Sequence, residues 1–261
     1  MIQLREHQTE TLNRLSEYNK GQVIVPTGGG KTMCMIQDAI RQFDSGFKTI
    51  VVVAPRILLV EQLCSEFLEV IQEKYRYVQV IHVHSGETHH FSTTSPVKIA
   101  EWSRFSKGNK IIFTTYHSLH RIKQSYAHID TIYFDEAHNS VQRNFYPATE
   151  HFATRDNSRC FFFTATPKHS ITVEKPGMNN EKVYGKVIIN VPAPKLVKEG
   201  HILPPKVIIK KIDVVDDSRF KHEHDCDHVI STMDEIDTDK VLICARSTKQ
   251  IVNLVSQSDF C

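Results

Sequence analysis

The sequence has no Cys-x-x-Cys pair, no uninterrupted apolar run of membrane-spanning length, and almost no excess of charge of either sign. Each absence removes a class of protein. The six cysteines, at 34, 64, 160, 226, 244 and 261, stand apart, several of them inside apolar runs such as RCFFFT and KVLICA. Buried thiols are therefore expected in place of a disulfide framework. Thirty-two basic residues oppose thirty acidic ones, a net charge of +2, so no bulk field draws the chain to nucleic acid or to anionic lipid. Binding of either kind would have to rest on a local patch. The N-terminal MIQLREHQTETLNRL has charges throughout and lacks the order of a secretory signal. A soluble intracellular protein with no membrane segment is the expectation.

What is present points to an α/β domain. Short Val-, Ile- and Phe-rich runs recur as QVIVP, KTIVVVAP, YVQVIHV, KIIFTT, TIYFDE and CFFFTAT, separated by longer segments with helical spacing. This is the pattern of parallel strands joined by crossover helices. In ILLVEQLCSEFLEVIQEK, Leu59, Leu63, Phe67 and Ile71 fall four apart, which predicts a crossover helix. The strands end in polar clusters, and ligands bind at that edge of open parallel sheets. An exposed loop is predicted from Ile171 to Asn180, then the strand KVIIN, a helix opened by Pro192 and Pro194, and a break at Gly200. Pro204 and Pro205 mark a boundary between a domain over 1–204 and a segment over 205–261. Within that segment PKVIIKKIDVV and DKVLICARSTKQIVNLV read as a strand and a strand-helix unit of a new sheet.

The strongest chemical signal is VIVPTGGGKT followed by a helical segment. Thr27, Gly28, Gly29 and Gly30 form a turn whose backbone N–H groups suit a phosphate chain; Lys31 reaches terminal phosphates, and Thr32 can hold magnesium. The run departs from GxxxxGK[ST] because Val25 stands where the first glycine would be. In IYFDEAH, two adjacent carboxylates close an apolar strand. A magnesium-phosphate site needs one carboxylate for the metal and another to position and deprotonate water, and Asp135 and Glu136 supply that pair. The alternative for an Asp-Glu pair in this position is a simple helix cap.

PTGGGKT at 26–32, DEAH at 135–138 and TATP at 164–167 resemble motifs I, II and III of the DEAD/DEAH-like superfamily 2 helicases. LREHQ at 4–8 resembles that family's adenine-reading segment, which implies Gln8 as the base contact and Arg5 as its support. VVVAPRILLVEQ resembles motif Ia and TTYHSL motif Ib, implying nucleic-acid backbone contacts at Arg56, Thr114 and Thr115. Motif III implies coupling of nucleotide state to the track through Thr164 and Thr166, bonded towards His138 or Asp135. KVYGKVIINVPAPKLVKEGHILPPKV is similar to the end of lobe 1 in the restriction-enzyme, phage and excision-repair branch, which favours DNA over RNA. The resemblance implies a RecA-like P-loop NTPase lobe, a mostly parallel sheet with helices on both faces, followed by the start of a second RecA-like lobe. ATP and Mg2+ are the implied cofactors, with Lys31, Asp135 and Glu136 catalytic and Asp135 and Thr32 on the metal.

No QxxGRxxR-like segment occurs in these 261 residues. The second lobe would come from a longer chain or from a partner chain, and feeble hydrolysis is expected without it. Two other classes stand beside the motor: a non-catalytic, ATP-gated DNA-binding module, and a phosphate-loop kinase acting on a small molecule. Two histidine-rich stretches complete the reading. His222, His224, Cys226 and His228 alternate, as metal ligands on a strand would, but a polar loop fits better because such spacing strains tetrahedral ligation. His82, His84, His89 and His90 read as solvent-facing or loop residues without a role.

Overall fold

The computed structural model describes residues 3–155, 158–172, 174–204, 207, 209, 221–236, 244 and 247–256. The chain divides into two compact units, Met1–Pro204 and Pro205–Cys261. The first is built on a seven-stranded sheet in which every pairing is parallel. Its strands are β1 (Lys20–Ile24), β2 (Thr49–Ala54), β3 (Gln79–Val83), β4 (Lys110–Thr115), β5 (Thr131–Phe134), β6 (Arg159–Thr164) and β7 (Val187–Asn190). Their spatial order is β3-β4-β2-β5-β6-β1-β7.

The apolar runs seen in the sequence are continuous because both faces of the sheet are covered. Side chains alternate between two cores. Ile50, Val52, Phe161 and Phe163 face one of them, and Val51, Val53, Cys160 and Phe162 face the other. On the first face lie α1 (Glu6–Glu17), α2 (Lys31–Asp44) and α3 (Ile57–Ile71). The predicted crossover is α3, and its Leu63, Phe67 and Ile71 are buried. The other face carries α4 (Pro96–Phe105), α5 (Leu119–Ser125), α6 (Tyr146–Ala153) and the short α7 (Glu181–Tyr184). The helix opened by prolines is α8 (Ala193–Lys198), and its Leu196 joins the first core.

A buried polar knot ties this sheet to its helices. Arg159 of β6 donates to both carboxylate oxygens of Asp38 in α2, at 3.0 and 3.4 Å, and to the Leu15 carbonyl at the end of α1, at 2.6 Å. Tyr133 of β5 donates to the same carboxylate at 2.5 Å.

In the second unit, α9 (Lys221–Ile236) and α10 (Thr248–Val255) pack together, and Gln250 donates to Asp225 at 3.2 Å. Here the polar loop expected over 222–228 is corrected to a helix. The histidines alternate, but the apolar residues Cys226, Val229, Ile230 and Met233 follow the helical 0, 3, 4, 7 spacing, and that longer-range period decides the backbone. His224 and His228 therefore sit one turn apart, with ring centroids 4.3 Å from each other. Most of the strand expected over 205–215, and most of the one expected over 240–245, lie outside the described residues.

Arg159→Ala should lower stability by about 3–5 kcal/mol, because it strands the Asp38 carboxylate in the interior. Asp38→Leu with Arg159→Met should recover most of that loss. Urea midpoints of the variants measure both, and a wild-type midpoint for Arg159→Ala would contradict the account.

Candidate functional site

Strand order places the site. β5, β6 and β1 are neighbours, so the segments leaving their C-terminal ends, DEAH, TATP and PTGGGKT, emerge side by side at one edge. The turn after β1 runs into α2, whose first residue is Lys31 and whose N-cap is Gly30. Gly28 and Gly30 adopt φ values of +78° and +81°, left-handed backbone that side-chain-bearing residues rarely take. At Gly30 a Cβ would also collide with Nε2 of Gln8. The α2 N-terminus has no side-chain cap, leaving its first N–H groups directed towards the turn. Val25, which breaks the sequence pattern, is fully buried and packs against Gly29, so its side chain belongs to the core and not to the cradle.

Across the edge, Glu136 holds left-handed backbone, φ 45° and ψ 52°, a strained state for a non-glycine residue. Its carboxylate lies between two cations or potential cations: Nζ of Lys31 at 3.4 Å and Nδ1 of His138 at 3.4 Å. Thr164 approaches His138 from β6, with its hydroxyl 3.0 Å from the ring nitrogen Nδ1. The Thr164 carbonyl also accepts the N–H of Val25, so motif III touches both the acidic loop and the root of the glycine turn. Thr166 is exposed and joins only through its backbone N–H, which donates to the Thr164 hydroxyl at 3.2 Å. Its expected side-chain bond towards His138 is not formed.

Asp135 is 9% exposed. Burial, then the neighbouring Glu136 charge, lifts its carboxyl to about 6, and Lys31 opposes the rise. A carboxylate raised in this way is one that a divalent cation would favour in its charged form, and half-buried Thr32 is the second residue of α2, just beyond the turn. The donor set of one carboxylate and one hydroxyl beside a lysine suits magnesium with phosphate oxygens.

The first turn of α1 serves the glycine turn in a way the sequence did not announce. Arg5 donates to the Gly28 carbonyl at 3.1 Å, His7 Nε2 lies 2.7 Å from the Gly29 carbonyl, and Gln8 donates to Gly30 at 3.4 Å. His7 was missed; its only sequence signal is its position between two recognised residues. Arg56 stands exposed at the N-cap of α3, at the same sheet edge. Thr114 and Thr115 are corrected as candidate contacts. Both are buried; the Thr114 hydroxyl donates to Val83 at 2.9 Å, and that of Thr115 accepts the Ser118 N–H at 3.3 Å. The exposed side chain in that loop is His117.

This sheet order and this cluster of loops define a RecA-like, P-loop lobe of the superfamily 2 helicase kind. Residues 1–169 match the model of the family described as type III restriction enzyme, res subunit, and the chain belongs to that family. None of the curated proteins compared with it matches. Among solved structures, a nuclease-deletion mutant of the type ISP restriction-modification enzyme LlaGI, in complex with a DNA substrate mimic, superposes with a TM-score of 0.62 at 19% identity. That match covers 92% of this chain and 23% of the other. The ATP-dependent type ISP enzyme LlaBIII bound to DNA gives a TM-score of 0.60 at 20% identity, over 76% of this chain and 16% of that one. The chain thus spans less than a quarter of the length of either enzyme, and the likeness is one of fold. Among the described residues, no helix is long and apolar enough to cross a membrane.

Because Asp135 is raised above its unfolded value, its protonated form stabilises the fold fully at low pH, and that contribution is lost as pH climbs through about 6. Between about pH 4 and 6, chelator-treated wild type should lose on the order of 3 kcal/mol relative to Asp135→Asn. Urea titrations across that range measure the difference; parallel profiles would contradict it.

Proposed function

We propose that Met1–Pro204 is the ATP-binding lobe of an ATP-dependent DNA motor and that 205–261 begins the second lobe. The observation that carries this reading is the meeting of Lys31 and Glu136 at 3.4 Å, which sets the phosphate-binding lysine and the water-activating carboxylate across one narrow gap. The Gly28–Gly30 backbone, Thr27 and Lys31 bind the phosphates, Thr32 and Asp135 hold magnesium, and Gln8 with Arg5 reads adenine. Magnesium, when bound, neutralises charge on the β- and γ-phosphate oxygens. Lys31 exchanges Glu136 for phosphate when nucleotide enters, and this frees the carboxylate. Glu136 then orients a water and takes its proton as the water oxygen attacks the terminal phosphorus, while the bond from that phosphorus to the β,γ-bridging oxygen breaks and ADP leaves with the electron pair. His138 steadies the other carboxylate oxygen and passes its position to Thr164.

DNA is the favoured track, supported by the sequence leading into GHILPP and by the DNA-bound state of the two similar enzymes. Arg56 is the candidate backbone contact. Strand movement requires a second lobe to close on the nucleotide and supply arginine to the transferring phosphoryl group, and such groups contribute about a thousandfold or more.

The purified 261-residue chain should bind Mg-ATP and hydrolyse it slowly. Glu136→Gln should cut DNA-stimulated turnover at least about a hundredfold while retaining nucleotide affinity, the scale of lost general-base catalysis. A turnover unchanged by Glu136→Gln would sink the enzymatic reading and leave an ATP-gated binding module. In a chain completed by its second lobe, Thr164→Ala should reduce the ratio of DNA-stimulated to basal turnover, whereas Thr166→Ala should leave it near wild type. Equal effects of the two would argue against relay through His138.

A further inference from the structure

The four histidines around β3 do not all face solvent, as their sequence suggested. His82 and His84 are buried, whereas His89 and His90 lie on the exposed loop that follows. The His90 ring stacks on that of His82 at 5.4 Å with 6° between planes. Cys64, on the buried side of α3, completes the group: its sulfur and one ring nitrogen from each of His82 and His90 all lie within 4.8 Å of one another. A half-open cavity of about 460 Å³ borders them, lined also by Glu61 and Glu87.

Counting protons shows why this cluster is incomplete by itself. The Gly86 N–H donates to Nδ1 of His84 at 3.2 Å, so the proton of neutral His84 sits on Nε2 and points to Nδ1 of His82 at 3.0 Å. His82 must then carry its proton on Nε2. That nitrogen is buried and has no hydrogen-bond partner among the described residues. Leaving a buried donor unmet costs about 1–3 kcal/mol, which calls for an explanation in a site of this kind.

We infer that Cys64, His82 and His90 form a binding site for a borderline divalent transition metal, Zn2+ foremost, with Glu61, Glu87 or water in the fourth position. The chemistry is that of thiolate-imidazole ligation. On loading, the Cys64 thiol gives its proton to solvent. The two imidazoles exchange tautomers with no net change of protons: His82 binds through Nε2 and donates Nδ1–H to Nε2 of His84, the arrangement that orients metal-bound histidines. His84 then holds its proton on Nδ1, so the Gly86 N–H must leave it. A tetrahedral ion draws ligand atoms to roughly 3.5 Å apart, a small closure that the loop bearing His90 can supply.

The site has a place in the fold that gives it consequence. A Cβ on Gly86 would meet Ile57, the first residue of α3, at 2.8 Å, and Ile57 adjoins exposed Arg56. The Gly86 backbone, whose N–H turns from His84 on loading, thus packs against the residue next to the candidate DNA contact.

The test is a titration of the chelator-stripped 261-residue chain with Co2+, followed by Zn2+. One equivalent of Co2+ should produce a sulfur-to-cobalt charge-transfer band that Zn2+ abolishes. Cys64→Ser should remove the band, and His90→Ala, at an exposed position that the fold does not need, should weaken binding by about 10- to 100-fold. Cys244→Ser, at the exposed thiol of the second unit, should leave the band intact. Absence of the band in wild type, its persistence in Cys64→Ser, unchanged affinity in His90→Ala, or its loss in Cys244→Ser would each overturn the site. Hydrogen exchange at the Gly86 amide should accelerate on Zn2+ loading; an unchanged rate would overturn the tautomer exchange. Nucleotide binding measured on the same samples reports separately on the P-loop.

Discussion

The approach of the Lys31 ammonium to the Glu136 carboxylate is the constraint from which the rest of the lobe can be understood. The two residues are far apart in sequence, and the parallel order β5-β6-β1 sets their loops on the same sheet edge, one strand apart and within an ion pair's reach. β6 has to be narrow at its end for this to work. It closes on Thr164, a buried residue small enough to sit under His138 while its carbonyl accepts the N–H of Val25. The three strands and their terminal residues thus form one hydrogen-bonded unit. A shift of β6 by one register position would replace the Thr164 hydroxyl with an apolar side chain at the same place.

Local strain is concentrated at the same edge. Gly28 and Gly30 accept left-handed backbone without penalty, but Glu136 does not, and states of that kind cost on the order of 1–3 kcal/mol. The strain is sustained by what holds the residue on either side. Asp135 donates its N–H to Val53 at 2.8 Å, its carbonyl accepts the Tyr116 hydroxyl at 2.8 Å, and Asn139 donates to the Glu136 carbonyl at 2.9 Å. Beneath them, Tyr133 of the same strand is fixed to Asp38 and so to Arg159. The scaffold below the acidic loop is therefore polar, buried and bidentate, and it is rigid for that reason.

Much of this was legible from sequence where the chemistry is contiguous. A glycine turn between an apolar strand and a helix, or two carboxylates at a strand end, is a short-range pattern, and its local geometry follows from backbone sterics. Strands and α3 were equally plain because apolar periodicity reports burial directly. What escaped was long-range or depended on which way a side chain turns. Thr114 and Thr115 stand in a loop that resembles a track contact, but their hydroxyls are consumed by Val83 and Ser118. Nothing in the sequence could pair Asp38 with Arg159, or Cys64 with His82, because each pair joins a helix to a strand across the sheet. The stretch 222–228 misled for another reason: a period of two in its histidines was weighed without the helical period of the apolar residues that continue past it.

The α1 turn shows how base reading and phosphate binding can share one side chain under the proposed function. Gln8 lies at the N3 position of α1, where its carbonyl oxygen accepts the Arg5 N–H at 2.9 Å and its amide donates to the Gly30 carbonyl at 3.4 Å. A glutamine amide has two N–H groups and an oxygen with two lone pairs, so each of these bonds leaves one equivalent free. An adenine edge needs a donor for its ring nitrogen and an acceptor for its amino group, and the remaining pair is of that kind. Gln8 can then contact the base without releasing Gly30. The position of the base is transmitted to the glycine turn by a single rigid group, flanked by His7 and Arg5 on the preceding two carbonyls. An asparagine, one methylene shorter, could not span both ends, which is why the residue type at this position carries more information than its polarity alone.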